Sequence, residues 1–181
     1  MLAAILLTGG GLLMGAAMSH TLCLGVGNTL LTDEGAGVHA MHFLQSQEDL
    51  PDRLRFLDAG TLSFVLADAI AAAANLIIFD AAELGREPGT VQVFEGDAFD
   101  DFLSGGRRSV HEVGLADLMD ITRLQDCLPR NRALIGIQPA EFGWGEAPGD
   151  TVRAAIPRAA GLARKLVARW SQQAPPIVAN R

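Results

Sequence analysis

Four short apolar runs, spaced along the chain with helix-like stretches between them, most constrain the fold. They are Thr21–Val26 (TLCLGV), Leu54–Leu57 (LRFL), Asn75–Phe79 (NLIIF) and Ala133–Ile137 (ALIGI). Runs this short are too brief for buried helices, and a strand covered on both faces reads as uninterrupted hydrophobic sequence. Between them, Ala36, Ala40, Phe43 and Leu44 recur at helical spacing, Phe64 to Ala74 is alanine-rich, and Leu115, Leu118, Met119 and Thr122 mark another helical face. Ile156, Ala159, Ala160, Ala163, Leu166, Val167 and Trp170 form one stripe of a long C-terminal helix, which Pro157 either kinks or opens. Strands alternating with helices predict an α/β fold: a three-layer α/β/α sandwich around a mostly parallel twisted sheet of about five strands. Thr90 to Phe94 alternates after the turn Glu87-Pro88-Gly89 and is expected as an edge hairpin strand, running antiparallel. Glu95 to Arg108 reads as a surface loop with a short helix.

The chain has 181 residues, enough for one domain with an ordinary core. Its 21 acidic against 14 basic residues give a net charge of −7. That balance argues against a nucleic-acid binder, which needs a basic surface to displace counterions, and against a protein of the membrane surface. Cys23 and Cys127 make no metal-type spacing and fit a reduced, cytoplasmic setting. The first 32 residues carry no charged side chain except the terminus, and Leu2 to Met18 is apolar. This run is short for a membrane span, is interrupted by Gly9, Gly10, Gly11 and Gly15, and lacks the positive region of a secretion signal. The expected organisation is an apolar extension over residues 1–17, untranslated if Met18 is the start, or else a signal or anchor. A single domain over 18–170 and a tail over 171–181 follow.

The strand ends carry the chemistry. Asp33-Glu34 follows the first strand, Asp58 the second and Asp80 the third. In a parallel sheet these positions share the carboxyl edge, where open α/β sheets bind ligands. Each carboxylate alone also suits a helix cap, Asp33 most of all. Together on one rim they would repel unless a cation or proton intervened. His111 follows Ser109, which has capping-box spacing to Glu112. It reads either as a first-turn surface histidine or as a neutral imidazole ligand. Carboxylates with one imidazole suit a borderline divalent cation such as nickel or zinc. His20, His39 and His42 read as an N-terminal residue and two helix-surface residues. Gly25-Val26-Gly27-Asn28 invites a dinucleotide reading, but position 30 is Leu where the fingerprint needs Gly, and the acidic pair that follows would repel a pyrophosphate. Trp144 either lines a protein-binding groove or folds onto the core edge.

The strings LGVGNTLLTDEGAGVHA (Leu24–Ala40), DAGT (Asp58–Thr61), IIFDAAELGREPGTV (Ile77–Val91), SVHEVGLADLM (Ser109–Met119) and LIGIQP (Leu134–Pro139) occur in the order seen in nickel-iron hydrogenase maturation endopeptidases, and the chain resembles that family over about residues 21–170. The resemblance implies an α/β/α sandwich and a hydrolase that removes a C-terminal peptide from the nickel-loaded precursor of the hydrogenase large subunit, thereby activating that enzyme. Carried over by position, the metal-contacting Glu, Asp and His are Glu34, Asp80 and His111. The family's Asp-Gly-Gly-Thr loop falls on Asp58 to Thr61, with Ala59 departing from it. Two mechanisms follow. In one, Glu34, Asp80 and His111 hold a metal that activates water. In the other, favoured, they grasp nickel already in the substrate, and Asp58 is the candidate base of an aspartyl-protease type, with Glu34 as the alternative catalytic carboxylate. The expected partner is the precursor alone, met by a cytoplasmic monomer, with no nucleic acid and no membrane. A non-cleaving, nickel-dependent assembly chaperone of hydrogenase would use the same ligands.

Overall fold

A computed structural model describes residues 20–61, 64–105 and 112–173. In chain order the elements are β1 (Thr21–Val26), a 3-10 turn (Thr32–Gly35), α1 (Ala36–Gln45), β2 (Leu54–Gly60), α2 (Leu66–Ala71), β3 (Asn75–Ala81), β4 (Val91–Glu95), α3 (Asp97–Ser104), α4 (Glu112–Leu124), β5 (Asn131–Ile137) and α5 (Asp150–Gln173). The sheet order is β2-β1-β3-β5-β4, with every pair parallel except β4 with β5. The three-layer α/β/α architecture is therefore as the strand and helix periods dictate.

Two apolar clusters sandwich the sheet. On one face α1 and α5 cover Cys23, Ile77, Phe79, Ala133 and Ile135. The whole predicted stripe from Ile156 to Trp170 is buried there, extended backward by Val152 and Ala155. On the other face α2, α3 and α4 cover Leu22, Leu24, Leu76, Ile78 and Leu134. Glycine lets α1 lie unusually close to the sheet. A methyl group on Gly37 would sit 2.3 Å from the carbonyl oxygens of both Phe79 and Val26, and one on Gly25 would sit 2.7 Å from the Cα of Val38.

Several expectations need correction. The stretch after β4 carries the expected short helix, Asp97–Ser104, but it is not a surface feature alone: Phe99, Phe102 and Leu103 are buried at i, i+3 and i+4. β4 is an antiparallel edge strand, but not half of a hairpin, because its partner β5 lies beyond α3 and α4. α2 is shorter than the alanine-rich stretch. Pro157 does not open α5: it is an exposed residue within the helix, which begins at Asp150. That helix runs to Gln173, three residues past the expected end of the domain at 170. The extension over 1–17, Ser109 with its capping-box reading, and the last eight residues lie outside the described residues. Among the described residues no helix is long and apolar enough to cross a membrane.

Candidate active site

Asp58 and Asp80 are not loop residues. Each is the last or nearly last member of its strand, which fixes its backbone more tightly than a loop would. In register, Gly25 of β1 lies between Asp58 of β2 and Phe79 of β3. With neighbouring strands about 4.8 Å apart, the backbones of Asp58 and Asp80 are separated by roughly 10 Å across β1.

Asp58 is exposed, and its Oδ1 accepts the amide of Gly60 at 2.8 Å. Gly60 has φ +50°, so a glycine follows Ala59 where the turn requires one, and the Ala59 departure is harmless. Beyond β2 opens a cleft of about 330 Å³ lined by Gly27, Asn28, Thr29, Asp58, Gly60 and Thr61. Gly27 is also a packing glycine: with φ +133°, a methyl group there would meet the Glu34 carbonyl oxygen at 1.9 Å. This close approach, and not phosphate binding, explains the glycine pair after β1.

Asp80 is only 1% exposed. In β3 it shares alternation with Leu76 and Ile78, whose side chains meet α2 and α4, so it falls on the face where α4 begins. Helix α4 returns the chain to the start of parallel β5, which places its N-terminus at the carboxyl edge. Glu34 is half-buried on the 3-10 turn, against which β3 packs. The structure thus brings the elements of Glu34 and Asp80 together, while the Glu34 backbone also lies against Gly27, which lines the cleft with Asp58. His111 lies outside the described residues. Among the described residues no three His, Cys, Asp or Glu side chains are placed to hold a metal ion.

Asp33 differs from the cap expected of it. It is fully buried and makes no helix-capping bond. Its Oδ2 accepts the amides of Ala140 (2.8 Å) and Glu141 (3.1 Å), and its Oδ1 accepts that of Gly149 (2.8 Å). It therefore clamps the whole loop between β5 and α5. Thr32 adds to the clamp: its hydroxyl accepts the amide of Gly143 at 2.9 Å, and its own amide donates to the Gly145 carbonyl at 2.9 Å. Thr32 holds φ +38°, a conformation that costs a β-branched residue about 1–3 kcal/mol and persists only when its surroundings fix it. Gln138 was not singled out from sequence, yet it is buried, and its Oε1 accepts the amides of Leu84 (2.7 Å) and Arg86 (3.3 Å). It ties the loop after β3 to the end of β5. A buried amide following a strand was the available signal.

His39 also departs from its expected surface position. Its Nε2 is buried without a hydrogen-bond partner. Burial, then the nearby His42, lower its pKa, while the Glu146 carbonyl opposes them. His42 is exposed, as expected. Trp144 does not fold onto the core edge: it is 88% exposed.

The model of the HycI hydrogenase maturation protease family matches residues 38–165. The hydrogenase expression/formation protein HupM of Azotobacter chroococcum is 34% identical over 164 residues, covering 90% of this chain and 78% of its own length. Among solved structures, the hydrogenase maturating endopeptidase HybD from Escherichia coli superposes with a TM-score of 0.78 at 31% identity, over 83% of this chain and 93% of that one. The HybD maturation protease from Thermococcus kodakarensis gives 0.70 at 30% identity, over 82% and 99%.

Proposed function

The chain belongs to the hydrogenase maturation protease family and is a peptidase, and from that premise we propose that it recognises nickel already seated in the large-subunit precursor and cuts with Asp58 as base. The observation that carries this reading is the position of Asp58 on β2, with β1 between it and Asp80 on β3. One exposed carboxylate stands in an open cleft, held by the Gly60 amide through one oxygen. Asp80 lies in β3 on the far side of β1, and Glu34 on the 3-10 turn against which β3 packs.

Glu34 and Asp80, with His111 completing the set, supply the donors. Two carboxylates and an imidazole suit a borderline divalent ion, and Asp80 is buried enough that an adjacent cation would offset the cost of its charge. The nickel belongs to the substrate and acts as its handle, so an unloaded precursor has nothing for these residues to grip. At Asp58 the carboxylate takes a proton from water as the water oxygen attacks the scissile carbonyl carbon. It then returns that proton to the amide nitrogen as the C–N bond breaks, leaving a new carboxyl terminus and a free amine. This makes the protein an aspartyl-type peptidase, with Glu34 the second carboxylate able to serve as base.

Two free cysteines support a reducing, cytoplasmic setting. Burial pushes the Cys23 thiol up to about 12, which leaves it inert. We place the protein there as a monomer. Mass spectrometry of nickel-loaded and nickel-free precursor after incubation with the protein tests the reading. Loss of a C-terminal peptide from the loaded form alone is expected. Cutting of the nickel-free form under chelation would remove nickel from recognition. Stable binding with no change of mass would make the protein the assembly chaperone instead.

A further inference from the structure

The clamped loop presents large apolar side chains to solvent. Trp144 is 88% exposed, Phe142 56%, and Leu30, on the loop after β1, 52%. These come from opposite ends of the sequence but are stitched into one surface. The Gly145 amide donates to the Leu30 carbonyl at 3.0 Å, Leu31 and Gly145 form a parallel bridge, and Thr32 holds the backbone beside Phe142. Exposed aromatics on a wandering loop would mean little. Here a fully buried Asp33 and a strained Thr32 fix the backbone that carries them. A rigid aromatic patch loses little conformational freedom on binding, which is the character of an interaction surface.

The patch adjoins the cleft along the chain: Leu30 directly follows Thr29, one of the cleft residues. Its own charge is acidic: residues 20–52 and 133–152 contain no Lys or Arg, and Glu141 and Glu146 are exposed on the loop, while Asp150 at its end is paired with Arg153.

We propose that Leu30, Phe142 and Trp144 form the docking face for the precursor protein, engaging an apolar surface ringed by basic residues beside its nickel site. The inference rests on the function proposed above, and it adds a second source of affinity for the folded precursor beside the nickel ligands.

The test uses the full chain and nickel-loaded precursor, with precursor binding and cleavage measured on the same samples. Phe142→Ala and Trp144→Ala remove exposed side chains and should keep the wild-type circular dichroism and melting temperature. Each should raise KM and Kd by about 30-fold, the loss typical of an interfacial aromatic anchor, with the effect confined to KM. Trp144→Phe should restore part of the affinity. Added salt should weaken wild-type binding. If the wild type cuts and both alanine variants cut at unchanged KM, the docking face is wrong and the peptidase reading stands. If the wild type binds without cutting and the variants lose binding, the docking face stands and the cleavage reading falls. A wild type that neither binds nor cuts overturns both. Self-association of the protein that Trp144→Ala abolishes would assign the patch to a second copy and overturn the proposal.

Discussion

Asp33 and Glu34 are neighbours on one 3-10 turn, yet the first is sealed inside and the second reaches the rim. Sequence marks both as acidic residues after a strand, and the cap reading of Asp33 fails for a plain reason. Its three donors, Ala140, Glu141 and Gly149, lie more than 100 positions away, and no local pattern reports such partners. His39 is missed similarly, since the helical period puts it at the border of the buried face and only the loop packed beside it decides its burial. The placement of Asp58, Asp80 and Glu34 at one edge of the sheet was legible because strand ends share an edge whatever the loops do. Asp33→Ala should cost at least about 2 kcal/mol, because three amides lose their acceptor. Chemical denaturation measures the loss, and hydrogen exchange at Ala140, Glu141 and Gly149 should quicken. Asp58→Asn keeps the side-chain shape and removes the proton acceptor. It should bind nickel-loaded precursor normally and lose turnover by about 10²–10⁴-fold. Glu34→Gln, Asp80→Asn and His111→Ala should instead weaken binding. A normal rate for Asp58→Asn would move the base to Glu34.

Among the elements, the parallel strands were the most legible, because burial on both faces leaves an uninterrupted apolar signature. α3 was legible only as a short helix in a surface loop, because its five acidic and small residues outnumber the three that face inward. What holds α3 down is also polar: Asp100 pairs with Arg132 of β5 through both carboxylate oxygens. The Arg132 hydrogen bond, opposed by partial burial, holds the Asp100 pKa below its ordinary value. The sign follows directly: an unfolded Asp100 takes up its proton at higher pH than the folded one. The pair therefore stabilises above the ordinary carboxylate range, and its contribution is lost as pH falls through the depressed folded value. Asp100→Asn should destabilise by about 1–2 kcal/mol after allowance for solvent screening. Urea denaturation at neutral pH and again in acid checks it, and the difference between variant and wild type should shrink in acid.

For the whole molecule, the close fit of α1 to the sheet has a consequence for how such sequences vary. The string from Gly25 to Gly37 answers two separate demands written into the same letters. Gly25, Gly27, Gly35 and Gly37 are spacers: an added methyl group would lie within 3.0 Å of backbone at every one of them. Asp33, between them, serves the fold as well, whereas Glu34 is the residue proposed to answer to the substrate. Selection on activity alone cannot tell these apart, since a misfolded and an inert protein both fail. A mutational scan read twice, once for cellular abundance and once for precursor processing, should separate them. Substitutions at the four glycines and at Asp33 should deplete abundance, whereas those at Glu34 and Asp58 should leave abundance intact and deplete processing. A family signature that looks like one motif would then resolve into a folding text and a catalytic text, interleaved residue by residue.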